Sequence, residues 1–388
     1  VSLGTGHRLP RALHPVAWWL WAIGLGVAAS QTTNPLVLLL LIAATAFVVV
    51  SRRGDAPWAG GFRAYLILAL VIIGVRVVFR MLLDGSGGAH VLFDLPEIPL
   101  PKAAAGIRLG GPVSAESMLA AVYDGLRLAT LLLCVGAANV LADPKRLLKA
   151  TPAALHEVSV AVVVALSVAP QLIESGQRVR RARRLRGEAR QRFRLIQQVL
   201  IPVLTDALDR SLLLAAAMDA RGFGRRSAVA RAERLLSGGL VLAGLVAVAV
   251  GAYGVLDARS PWFLSWPALV VGVASGLAGL VLGGRQVVRS RYRPDPWRVE
   301  EWLVAACGLG VGVLFSVLAR DPAAGLGVPS PIVSWPTLPL VGVAGAAVAL
   351  LPAVIAPPVR LPRPAAARTA RAYDPADPDP TNDVEVAA

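Results

Sequence analysis

Eight stretches of this chain run apolar for fifteen residues or more, and a fold that leaves them in water is not open to it. They are Val16–Ser30, Leu36–Val50, Tyr65–Leu83, Met118–Leu141, Gly238–Leu256, Phe263–Leu282, Leu303–Leu318 and Leu338–Ile355. Crossing a bilayer as a helix takes about 20 residues, and inside lipid only a helix or a closed barrel satisfies its own backbone. Hydrophobic residues make up 56% of the sequence and charged ones 16%, which excludes an ordinary soluble domain. The chain reads as an all-α integral membrane protein with about eight transmembrane helices. The first two runs are short and split by Gln31-Thr32-Thr33-Asn34-Pro35. They predict a tight hairpin that does not span the full thickness, with Trp18, Trp19 and Trp21 as interfacial anchors.

Between the fourth and fifth runs the pattern changes. Val158–Val168 is apolar, but the chain turns polar at Gln171 and stays so to Arg194. Over Ile196–Ala220, Ile196, Leu200, Val203, Ala207, Ser211, Leu214 and Met218 fall on one side of a helix. Gln198, Thr205, Asp206 and Asp209 fall on the other. The region predicts two long amphipathic helices rather than two further spans, with Pro170 and Pro202 kinking or starting each.

The formal net charge is +15, and it is concentrated: Gly176–Arg234 holds fifteen arginines against five acids. Every second loop between the runs is basic, which fits eight crossings with both termini in the cytoplasm. Counting Val158–Val168 as a ninth crossing would put those arginines outside. In a membrane protein such a basic segment meets anionic lipid or an acidic protein surface, not nucleic acid. The segments divide as 1–142, four membrane runs; 143–236, the cytoplasmic amphipathic region; 237–357, the remaining membrane runs; and 358–388, a Pro-, Ala- and Asp-rich tail read as disordered. No cleavable signal peptide is evident, because Val16–Val50 continues as a hairpin. Cys134 and Cys307 match no metal or redox spacing and read as small core or lipid-facing residues. The four histidines form no ligand pair, so no cofactor is expected.

Two arginine–glycine stops stand inside the basic segment, Arg186-Gly187 and Ala220-Arg221-Gly222, the second followed by Arg225. An arginine in a helix's last turn offsets the partial negative charge there, and a glycine after it can take the left-handed conformation that closes the helix. A good C-cap therefore explains a lone Arg-Gly. Two of them, at the ends of amphipathic helices, would also project rigid cationic tips. A guanidinium is a planar fork that grips a carboxylate in two places, and small neighbours let it enter a groove.

The stretch AMDARGFG (217–224) resembles the second Ala-Arg-Gly motif of the transmembrane T component of energy-coupling-factor transporters, the vitamin- and cobalt-uptake branch of ABC importers. LHPVAWWLWA with TNPLVLLLL is similar to that family's opening hairpin, and YDGLRLATLLL with LADPKRLLKA to its mid-chain span and short helix. VAPQLIESGQRVRRARRLRG and IPVLTDALDRSLLLAAAMDARG resemble its two coupling helices and motifs. The likeness runs from about His14 to Leu256. It implies that the two amphipathic helices are cytoplasmic coupling helices. It also implies that Arg186 and Arg221 dock into grooves on two cytosolic ABC ATPase subunits, with Gly187, Ala220 and Gly222 as steric companions. A small substrate-binding membrane subunit would be the other partner. The first motif departs from the pattern, with Leu185 where alanine is common, so Arg183 and Arg184 are secondary candidates, as is Arg225. The resemblance gives Phe263–Ala388 no role.

Other residues invite chemistry. Arg76 and Arg80 lie near the outer end of the third run and are expected to snorkel. Asp124 and Arg127, one turn apart, are expected to pair with each other. Asp206 and Asp209 lack the spacing that holds a Mg²⁺–diphosphate. No GxxxxGK[ST] loop occurs, so ATP hydrolysis would be supplied in trans and the chain itself is not an enzyme. The alternatives are a stand-alone secondary transporter, for which polar groups at mid-membrane are wanting, a membrane enzyme lacking clustered carboxylates, and a lipid-surface anchor.

Overall fold

A computed structural model describes residues 12–54, 59–83, 88–98, 109–185, 194–223, 231–257, 260–285, 296–327 and 332–357. The tail 358–388, Arg186, Gly187 and Arg225 lie outside them. The helices are α1 (Pro15–Ser30), α2 (Pro35–Arg52), α3 (Phe62–Leu83), α4 (Ala115–Leu141), α5 (Pro144–Lys149), α6 (His156–Leu185) and α7 (Arg194–Ala220). After these come α8 (Arg231–Leu256), α9 (Trp266–Arg285), α10 (Val299–Leu318), α11 (Leu340–Leu350) and α12 (Pro352–Ile355). Each of the eight apolar runs is helical.

Among the described residues, seven helices are long and apolar enough to cross a bilayer, and Pro15–Ser30 and Leu340–Ile355 are shorter apolar ones. This is an all-α, multi-pass membrane protein. The seven include Ala153–Ala182, a segment that loop charge argues against counting as a crossing. In that segment the apolar stretch Val158–Val168 is followed, within the same helix, by Arg178, Arg180 and Arg181.

Starts of helices are written locally. Pro15 and Pro35 occupy first-turn positions, where the missing N–H costs nothing. His14 Nδ1 accepts from Val16 N–H at 3.3 Å, and Asn34 Oδ1 accepts from Leu36 N–H at 3.0 Å. Glu301 caps α10 by accepting from Arg298 N–H at 2.9 Å, and His14 N–H reaches its other oxygen at 3.4 Å.

The chain divides into two compact units, 1–144 with 295–388, and 145–294. The linear division drawn from sequence cuts it differently: α8 and α9 cluster with the amphipathic pair, and α10–α12 with the N-terminal helices. In the first unit α1 and α2 hardly touch one another, contrary to a tight hairpin. Each packs instead on α4 and on the C-terminal helices, α1 against α10 and α2 against α11. Trp21, Leu25, Leu38, Leu41, Val311 and Phe315 are buried between them. The backbones of Gly24 and Gly308 are in direct contact, and a Cβ on Gly312 would stand 2.7 Å from the Gly24 carbonyl oxygen. Close approach of this kind is how membrane helices associate, since lipid gives no hydrophobic drive between them.

Helix α3 packs on α4 through Tyr65, which lies over Gly136 and accepts from Asn139 at 3.0 Å, while its other faces are open. Arg127 does not pair with Asp124. Its guanidinium reaches the Ser30 carbonyl at the C-terminus of α1, where helix end and cation attract. The loop between the third and fourth runs holds an antiparallel hairpin, β1 (Val91–Ile98) with β2 (Leu109–Ser114), its register shifted twice. The glycines and proline that mark the region as a loop sit within it: Gly110 and Gly111 have positive φ, and Pro96 interrupts β1.

In the second unit α8 and α9 form the tight pair. A Cβ on Gly244 would stand 2.5 Å from Gly276 N, and one on Gly251 2.6 Å from Leu269 N. Helix α9 also lies against the short turn Ala153–Leu155 that leads into α6.

Candidate functional site

The arginine–glycine end of α7 is built by the backbone. Ala220 is the last helical residue, and Gly222 follows with φ 72°. Phe223 N–H bonds to the Met218 carbonyl at 3.0 Å and Gly222 N–H to the Asp219 carbonyl at 2.8 Å. That pair of bonds is the Schellman closure, with Gly222 at the one position where the left-handed backbone is required. Arg221 stands immediately before it and is exposed, as is Ala220. Among the described residues no group takes a hydrogen bond from, or forms an ion pair with, the Arg221 guanidinium. The turn is closed by main chain, and the guanidinium takes no part in closing it.

Phe223 holds this turn to the head of α6. Its ring lies 6.1 Å from that of His156, tilted by 54°. His156 is the first residue of α6, so the tip of one amphipathic helix rests where the other begins. Sequence reading missed this contact, because a single His and a single Phe 67 positions apart carry no pattern.

A second joint lies midway along the pair. Ser175 Oγ donates to Asp206 Oδ2 at 2.9 Å, and Arg210 Nε donates to Asp206 Oδ1 at 3.0 Å. Arg210 also reaches Gln171 Oε1 at 3.4 Å. Ser175 is buried and Asp206 half-buried, although the helical stripe puts Asp206 on the polar side. The hydroxyl and guanidinium bonds hold the Asp206 carboxyl below its ordinary range. Within this cluster Asp206 and Arg210 stand four residues apart on one helix, the spacing at which opposite charges meet. Pro170 and Pro202 both fall inside their helices rather than starting them.

Elsewhere α6 and α7 touch lightly and stay open. Ile201, Leu204, Leu208, Leu212 and Leu213 are exposed on α7, and Arg178, Arg180 and Arg181 are exposed on α6. Arg183 and Arg184 lie in the last turn of α6. Only the second of the two expected tips, Ala220-Arg221-Gly222, therefore falls within the described residues.

Residues 6–230 match the cobalt transport protein family, CbiQ. The chain belongs to this family. Among curated proteins, none matches the chain. Membership makes it a membrane transport permease and not an enzyme. The match takes in α1 to α7, both amphipathic helices and both arginine–glycine stops, and it ends before α8. Helices α8–α12 are additional to it.

Proposed function

We propose that this permease is the coupling subunit of an energy-coupling-factor importer in the cell membrane, with both termini in the cytoplasm. Two cytosolic ABC ATPase subunits would grip Arg221 and Arg186 through acidic groove residues. ATP binding would close the ATPases, the two tips would travel with them, and α6 and α7 would carry that motion to a separate substrate-binding membrane subunit. The cargo is cobalt, nickel, a B-vitamin or a precursor of one. Specificity resides in the partner subunit.

The observation that carries this reading is the free, exposed Arg221 guanidinium on a turn closed wholly by main-chain bonds. A tip meant only to cap its own helix has no need of a five-donor fork left unspent. The small residue before it and the glycine after it leave the fork room to enter a cleft.

The test is capture of the tagged protein from its native membrane in mild detergent, with ATPase subunits identified by peptide mass. The unaltered chain is expected to bring them down. Arg221→Ala combined with Arg186→Ala is expected to lose them, and Arg221→Lys to weaken capture sharply, because an ammonium cannot replace a bidentate fork. Undiminished capture by the double alanine variant overturns the docking role. Capture that survives Lys as well as Arg would favour charge attraction alone over a bidentate grip.

A further inference from the structure

We propose that α10–α12 are a resident membrane subunit: an internal copy of the opening helices α1 and α2, fused to the chain, that keeps the α1–α2 face closed to separate membrane proteins. This goes beyond the coupling role and does not rest on it.

The sequence supplies the first argument. Gly24-Leu25-Gly26-Val27 in α1 returns as Gly308-Leu309-Gly310-Val311 in α10, and Pro35-Leu36-Val37 at the head of α2 returns as Pro339-Leu340-Val341 at the head of α11. The second argument is spatial and independent of the first. Like packs on like: α1 lies against α10 and α2 against α11. Corresponding glycines meet, since Gly24 touches Gly308. Both pairs run parallel, because contacts advance together along the two segments, from His14 with Glu301 to Thr32 with Leu326, and from Asn34 with Thr337 to Arg52 with Ala353.

The interface has the chemistry of a subunit contact within lipid. Helices there associate by close packing and by hydrogen bonds that no solvent competes for. Thr32 Oγ1 donates to the Leu326 carbonyl at 2.9 Å. Asn34 Nδ2 donates to the Gly325 and Thr337 carbonyls at 3.0 and 2.8 Å. Trp21 Nε1 donates to the Ala349 carbonyl at 3.3 Å, and Arg52 Nε to the Ala353 carbonyl at 2.8 Å. Four side chains of α1, α2 and the turn between them thus address main-chain carbonyls of the C-terminal segment, and Trp21 is fully buried. A face so occupied has neither the glycine groove nor its donors to offer another helix. A separate membrane partner must use another surface of the first unit, and α3 is the helix whose apolar side stays open. The family match covers residues 6–230, and this occupant lies beyond it.

Two measurements on the full-length protein decide the matter. A specific protease site is inserted within residues 286–295 and cut in mild detergent. Fragment 296–388 is expected to co-elute with the remainder, and Gly308→Leu is expected to raise the free fragment roughly tenfold to a hundredfold. Thr32→Val, a milder change that removes one hydroxyl bond, is expected to release less fragment than Gly308→Leu but more than the unsubstituted protein. In native membranes, benzoylphenylalanine in place of Trp21 is expected to cross-link only to fragment 296–388 of its own chain. Spontaneous loss of the fragment after cutting, or a cross-link from position 21 to any other protein, overturns the proposal.

Discussion

The two units are made of similarly apolar helices and use them in different ways. In the first, α1, α2, α4, α10 and α11 present glycine, alanine and small polar residues to one another. Their backbones close to contact, and Trp21, Phe315 and the Glu301 carboxylate disappear into the packing. In the second, α8 and α9 repeat that device with Gly244, Gly251 and Gly272, while α6 and α7 do not use it at all. The amphipathic pair meets at a polar clasp and an aromatic contact, and leaves its leucines uncovered. Apolarity puts all these helices in or against the bilayer. Small residues decide which become a fixed frame. A helix pair held by two small joints can change its crossing with little repacking, and that is the pair bearing the arginine–glycine ends.

The sharpest way to break this contrast is to crowd the frame. Gly24→Val would drive a side chain into the Gly308 backbone, which cannot withdraw. We expect a loss of about 3 kcal/mol or more, read as a collapse in the yield of folded protein and in its thermal midpoint. Next comes the tight pair of the second unit. Gly244→Val meets Gly276 and Gly272 main chain and is expected to cost about 1–3 kcal/mol. Gly276→Ala points into open space and is expected to leave the midpoint unmoved. If both behave alike, the glycines do not set the packing.

The amphipathic pair should respond locally instead. Gly222→Ala forces a left-handed backbone onto alanine at about 1–2 kcal/mol. The expected result is diminished ATPase capture with a midpoint lowered less than by Gly24→Val, measured on the same preparation. The smallest effect belongs to the clasp. Asp206 titrates below its ordinary value, so its contribution is complete above about pH 3.9 and is lost as pH falls through the lower, folded value. Spin labels on α6 and α7 should therefore report a constant separation from neutral pH to about pH 4. Below that the separation should change, and Asp206→Asn should abolish the pH dependence.

Much of the fold was legible in advance for a local reason. A run of apolar residues carries its own helix, and Pro15, Asn34-Pro35 and Ser114 mark starts within three residues of their partners. Gly222 was legible on the same ground, since a Schellman turn is written in six consecutive residues. The β1–β2 hairpin was not, because Pro96 and two positive-φ glycines mask a strand pattern that register shifts also break. Arg127 was assigned to its neighbour Asp124 when its true acceptor lies 97 residues away. The packing of α10–α12 on the first helices is not written in periodicity: Trp21 meets Ala349 across 328 residues, and a short repeat of residues marks a likeness without saying that the two copies touch.

The turn after α7 separates holding from grasping. Its shape is secured by two amide protons and one glycine, so the Arg221 side chain is not needed to set the geometry of the turn. Natural variation can therefore retune that side chain's grip without redrawing the scaffold beneath it, whereas an exchange of Gly222 would alter the direction in which any such side chain is offered.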